Sequence, residues 1–160
     1  IPNAYEGAKA LANGEVTRAH YARYLVQIGK VSNDGQAFKR YLGGGKSCFV
    51  KAEWVDIPTA IETIHAAGGV AVIAHPMRYN MTGKWIRRLI VDFKQWGGDG
   101  MEVADSGQTK DQRQYLARLA NEYDLAASLG SDFHFPCGWI ELGKNLFLPE
   151  EVKPIWTLFE

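Results

Sequence analysis

Sulfur is scarce in this sequence. Cys48 and Cys137 are its two cysteines in 160 residues, and they form no CxxC pair. A disulfide-stapled scaffold and a zinc ribbon are therefore excluded, and a reduced, cytosolic setting is the simpler expectation. Long hydrophobic runs are missing too. Apolar stretches last only a few residues, so no segment reads as a membrane span or a signal peptide. The first residues are Ile1-Pro2-Asn3, with no initiating Met, which leads us to expect a cut beginning. Neither charge sign prevails: 18 Lys and Arg face 18 Asp and Glu. A chain-wide pull on nucleic acid and DNA sequence readout are accordingly not expected. Repeats and low-complexity tracts are absent. What remains is 46% apolar and 22% charged, an ordinary globular mixture long enough to bury a core as one domain.

Three short helices are expected first. Tyr5 to Asn13 is helix-friendly and stops at Asn13-Gly14. Thr17 reads as the cap of Arg18 to Ile28, where apolar residues recur at helical spacing. Ser32-Asn33-Asp34 opens a third helix, Gln36 to Leu42, closed by Gly43-Gly44-Gly45. Gly45-Lys46-Ser47 is no phosphate loop, because Arg40 stands where that motif needs glycine and no strand precedes it. The cations Lys39, Arg40, Lys46 and Lys51 read as a solvated face.

From Ile57 the texture alternates. Pro58 to Ala67 is helical. Val70 to Ala74 is a short apolar strand ending at His75-Pro76. Thr82 caps a helix to Trp96, Gly100 to Ala104 is a strand, and Thr109 caps a helix through Tyr123. Ala126 to Leu129 is the third strand, and a last helix is expected from Leu148-Pro149-Glu150-Glu151 through Phe159. Such alternation argues for an α/β architecture with parallel crossovers.

Chemistry gathers where the strands end. Gly130-Ser131-Asp132-Phe133-His134 follows the third strand, and His75 follows the first. Carboxylate and imidazole together suit Zn, Mn or Fe. Asp132 alone would read as an Asx turn, and His75 alone as a core histidine held extended by Pro76. Glu102, within the middle strand, either points to the same face or is a buried partner for a nearby arginine. Arg78 lies three residues beyond His75, where a guanidinium fork suits phosphate. His20, beside Arg18 and Arg23, and His65 sit on helices where half-exposed histidines are common.

The stretches Val72 to Tyr79 and Leu129 to His134 resemble two late motifs of the polymerase-and-histidinol-phosphatase (PHP) family. Gly14 to Arg23 is similar to a helical insert in its nucleotide-acting subgroup, and Gly97 to Val103 and Phe135 to Trp139 extend the likeness. The resemblance implies an α/β fold that is the C-terminal portion of a distorted (β/α)7 PHP barrel, residues 51–160, with a small helical insert module, residues 1–50. It implies divalent metal ions, Mn first, with Zn, Fe or Mg as alternatives. It assigns His75, Asp132, His134 and His20 to metal, and Arg18, Arg23 and Arg78 to substrate phosphates. The implied partner is a nucleotide or RNA, cleaved as a nucleoside 3′,5′-bisphosphate or from an RNA 5′ end.

The chain departs from the family at its start. The family opens with a His-x-His strand, then an Asp, an Asp-His pair and a Glu, and none of these is here. About 110 residues of such a domain are expected to precede Ile1, judged from barrel lengths. This chain by itself is expected to be catalytically impaired. The competing expectation is a metal-free structural or interaction domain. An amidohydrolase is a third, disfavoured because no strand carries the mid-strand Lys it would want.

Overall fold

The computed structural model describes residues 1–134, 136, 138 and 140–159. Phe135, Cys137 and Trp139, part of the resemblance above, lie outside the described residues, as does Glu160. The chain divides into two compact units, Ile1–Trp54 and Val55–Glu160. No helix among the described residues is long and apolar enough to cross a membrane.

The first unit is helical. It holds α1 (Ala4–Ala10), α2 (Arg18–Gln27), α3 (Asp34–Ala37) and a π-helical turn, Phe38–Leu42. Thr17 caps α2 as expected. The expected third helix divides, because its last turn widens until the N–H of Gly43 donates to the carbonyl of Phe38 at 2.8 Å. Ala22, Leu25, Val31, Ala37 and Leu42 form a small buried cluster.

The second unit contains α4 (Ile57–Ala66), β1 (Val72–Ile73), α5 (Gly83–Gln95), β2 (Gly100–Asp105), α6 (Lys110–Glu122) and β3 (Ala126–Gly130). The strands make one parallel sheet in the order β1-β2-β3. β2 is buried along its whole length, as befits the middle strand of a covered parallel sheet. Ile90 and Phe93 of α5 and Leu116 and Leu119 of α6 pack with Met101 and Val103 of β2 in the core. Caps start these helices: Asp56 accepts from the N–H of Thr59 at 2.9 Å, and Thr109 and Gln112 bond reciprocally at 3.0 and 3.2 Å.

Two expectations fail here. The strand after α4 is two residues long, not five. The helix expected from Leu148 to Phe159 does not form; a single 3₁₀ turn, Ile155–Leu158, is all that winds. Pro154 explains this, since it has no N–H to donate and holds Lys153 away from helical geometry. The freed backbone lies along β3 instead, where the carbonyl of Lys153 accepts from the N–H of Ala127 at 2.7 Å.

Candidate functional site

The carboxyl ends of the three strands meet at one edge of the sheet. β2 carries a register irregularity between Glu102 and Ala104. Strict alternation would send residues three apart to opposite faces. An extra residue shifts that parity. Glu102 and Asp105 thereby serve the same cluster, and both are buried, at 8% and 2% exposure.

His75 stands where β1 ends, in the left-handed region, with φ 34° and ψ 56°. The extended backbone expected before Pro76 is not adopted. Three contacts hold the strained conformation. The His75 N–H donates to Glu102 Oε2 at 2.5 Å. Its ring meets Tyr79 edge-on, with centroids 5.8 Å apart. The Tyr79 hydroxyl donates to the carbonyl of Ala74 at 2.7 Å. The turn then runs into Pro76–Arg78, a 3₁₀ turn that brings Arg78 back over the edge. His75 Nδ1 is buried, with no hydrogen-bond partner among the described residues.

Arg78 is engaged, not free. Its Nη1 donates to Asp132 Oδ2, and its Nε lies 3.4 Å from Asp105 Oδ2. Burial works against the guanidinium charge, but Asp105, Asp132 and Glu102 outweigh it and hold the Arg78 pKa above its ordinary value. Asp105 is fixed by accepting from the Gly107 N–H at 2.6 Å. Behind it, buried Arg113 donates to the carbonyls of Asp105 and Asn145, and its guanidinium carbon lies 3.9 Å from the centre of the Phe147 ring.

Burial also pushes the Glu102 carboxyl above its ordinary value. The His75 N–H and ring oppose that rise, Asp105 adds to it, and Arg78 opposes it. A carboxyl whose pKa is raised on folding binds its proton more tightly in the native state. Stability then falls as pH rises from about 4.5 through the folded value, and levels off above it. Glu102→Gln should flatten that slope while its amide oxygen still accepts from His75. Thermal melts at stepped pH check this, and an unchanged slope would remove Glu102 as its source.

Asp132 follows β3, also left-handed, at φ 54°. Its carbonyl lies 2.7 Å from His134 Nδ1. A carbonyl only accepts, so Nδ1 carries the hydrogen and neutral His134 keeps its lone pair on Nε2. His20 is the opposite case. Its Nδ1 accepts from the Thr17 N–H at 3.0 Å, so its lone pair serves the start of α2. Arg18 and Arg23 are exposed on the same helix. These three belong to the helical unit. His65 pairs with Asp99 at 2.7 Å, joining the end of α4 to the start of β2.

No family model matches the chain. It is 82% identical to a 5′-3′ exoribonuclease of Haemophilus influenzae over 159 residues, 99% of this chain and 58% of that protein. It is 39% identical to a 3′,5′-nucleoside bisphosphate phosphatase of Chromobacterium violaceum, across 100% of this chain and 57% of that protein. Among solved structures, a Chromobacterium violaceum amidohydrolase with bound sulfate and no metal matches at TM-score 0.82 and 39% identity, over 98% of this chain and 55% of that one. A Bifidobacterium adolescentis protein described as a candidate metal-dependent phosphoesterase matches at TM-score 0.73 and 28% identity, over 99% and 57%. The chain thus spans somewhat more than half the length of the proteins it matches.

Asp105 and Arg113 went unseen in the sequence. The strand was expected to stop at Ala104, one residue short, and the acid that ends a central strand was the available signal. Glu102 is buried and faces the cluster, and its bonded partner is the His75 N–H, while Arg78 acts on it only through its charge.

Proposed function

We infer that the intact protein is a metal-dependent phosphoesterase acting on nucleoside 3′,5′-bisphosphates, RNA 5′ ends, or both. In this reading residues 51–160 supply the C-terminal portion of a distorted (β/α)7 PHP barrel. One observation carries it. Three carboxyls, Glu102, Asp105 and Asp132, act on a single guanidinium at the carboxyl edge of a parallel sheet, and His75 is tied to the first of them. Ligands of α/β sheets sit at that edge. The surplus negative charge favours a cation. The names of the relatives point to the same chemistry.

The donors fit a divalent metal in kind. His75 offers an unpartnered buried nitrogen, His134 an Nε2 lone pair and Asp132 a carboxylate. Mn, Zn, Fe and Mg all accept such ligands. They do not suffice in number, for no three His, Cys, Asp or Glu among the described residues stand together as a cage. The remaining ligands come, in this reading, from the part of the intact protein outside this span. His20 would have to give up its cap to join them.

Divalent metal supplies an activated water and neutralises phosphoryl charge when bound. The residues of this chain do the rest. Asp105 anchors Arg78, whose exposed side is the candidate for the non-reacting phosphate, with Arg18 and Arg23 as further candidates. Glu102 holds the His75 backbone so that the ring keeps one orientation.

The test is phosphate release by the intact protein from adenosine 3′,5′-bisphosphate and from 5′-phosphorylated RNA. Release is expected with Mn and should vanish with a chelator. No release from either substrate, with any divalent metal, would leave the competing reading: a metal-free interaction domain in which Arg78 permanently neutralises Asp132. Residues 1–160 alone should be impaired, and robust hydrolysis by them would overturn the shared-ligand arrangement.

A further inference from the structure

The net charge of zero conceals a segregation. Residues 1–54 carry eight Lys and Arg against four Asp and Glu, whereas residues 55–160 carry ten against fourteen. All eight cations of the helical unit are exposed. None of them is in an ion pair among the described residues, while Arg78, Arg87, Arg88, Lys94 and Lys144 of the other unit all are. Unpaired cations concentrated on a small unit are a standing attraction for a polyanion.

The π-helical turn organises this surface. Such turns are rare and cluster at functional sites. Lys39 and Arg40 of the turn line one surface hollow with Gln36. Leu42, from the same turn, walls a second hollow of about 480 Å³, together with Tyr21, Tyr24 and Arg18. That volume falls in the range that accepts a small organic group. Its walls are apolar and aromatic, with one guanidinium at hand. Aromatic faces beside cations are how proteins hold single-stranded nucleic acid, with bases stacked and phosphates paired.

We propose that the helical unit is a docking surface for single-stranded RNA, with Lys39 and Arg40 pairing to its phosphates and the Tyr21–Tyr24 hollow taking a base. This rests on the phosphoesterase reading and narrows it. Neither Lys39 nor Arg40 is among the candidates for the phosphates of a mononucleotide, so a mononucleotide and a longer RNA separate the two readings.

The experiment uses the intact protein and the double variant Lys39→Glu/Arg40→Glu. Binding of a labelled single-stranded oligoribonucleotide of about ten nucleotides is followed by anisotropy in chelator, so that no turnover occurs. Kd should weaken by about tenfold or more, and the salt dependence, as log Kd against log salt, should become shallower by about 1.4, two phosphate contacts at about 0.7 each. Release of phosphate from adenosine 3′,5′-bisphosphate should stay at the parental rate. Lys39→Arg/Arg40→Lys, which keeps the charges, should bind as the parent does. An unchanged Kd in the reversed-charge variant overturns the proposal. So does an equal loss on the mononucleotide, which would mean a general defect. Polyglutamate binding as tightly as RNA would instead assign the surface to an acidic protein. Failure of the parent protein to release phosphate at all refutes the phosphoesterase reading and leaves the binding measurement to stand by itself.

Discussion

Asp132→Asn in the intact protein is expected to cut phosphate release at least about 100-fold, since partners one shell beyond a metal already cost 10–100-fold when lost. The melting temperature should hardly move. Asparagine tolerates the left-handed backbone that Asp132 adopts at φ 54°, and its carbonyl still accepts from His134 Nδ1. The Arg78–Asp132 pair is partly solvated, with side chains 36% and 26% exposed. Pairs of that kind contribute about 1 kcal/mol or less. For 150–250 residues that is a shift of about 2–4 °C at most, and smaller in a longer protein. The split between activity and stability is the informative part. A collapse of both would make Asp132 a structural residue, and unchanged activity would remove it from the site. Arg78 keeps its Asp105 contact in the variant, so a loss restricted to substrate affinity would implicate Arg78 instead.

Gly130→Ala should damage the protein by a different route. A Cβ at Gly130 would lie 2.6 Å from Glu102 Oε1 and 3.7 Å from its Cδ. The carboxyl cannot step aside without cost, because it is buried and its other oxygen holds the His75 N–H at 2.5 Å. Overpacking of this kind costs about 1–3 kcal/mol. Activity should fall further than stability implies, since moving Glu102 releases the strained backbone that aims His75. A melting curve beside a rate measurement reads both effects. Glu102→Ala in the same protein makes room, so the double variant should recover stability relative to Gly130→Ala, but not activity. If the alanine variant melts and turns over like the parent, the glycine is not there for the carboxyl.

Much of the scaffold was legible locally. Thr17, Thr82 and Thr109 stand at the starts of their helices as expected, because capping depends on residues within one turn. The strands announce themselves as short apolar runs, although β1 is shorter and β2 longer by one residue than the runs suggest. His75, Asp132 and His134 were readable as candidates because strand ends in α/β proteins carry chemistry. Gly130 looked like a turn residue, and only the approach of Glu102 reveals why a side chain is excluded there. The last helix misled because Pro149-Glu150-Glu151 is a good helix start, while Pro154, five residues on, is the decisive breaker.

The sequence by itself determined the alternation of helices and strands, the caps, and the residue types at the strand ends. These follow from periodicity, side-chain-to-backbone bonds and backbone sterics, all of which act over a few residues. Tertiary structure alone decided the backbone of His75, the capture of Arg78 between Asp105 and Asp132, the parity shift in β2, and the laying of Lys153-Pro154 along β3. Each joins groups dozens of residues apart, or turns on which long-range partner satisfies a buried polar atom. Such partners are chosen when the elements pack, and a linear reading has no access to that choice.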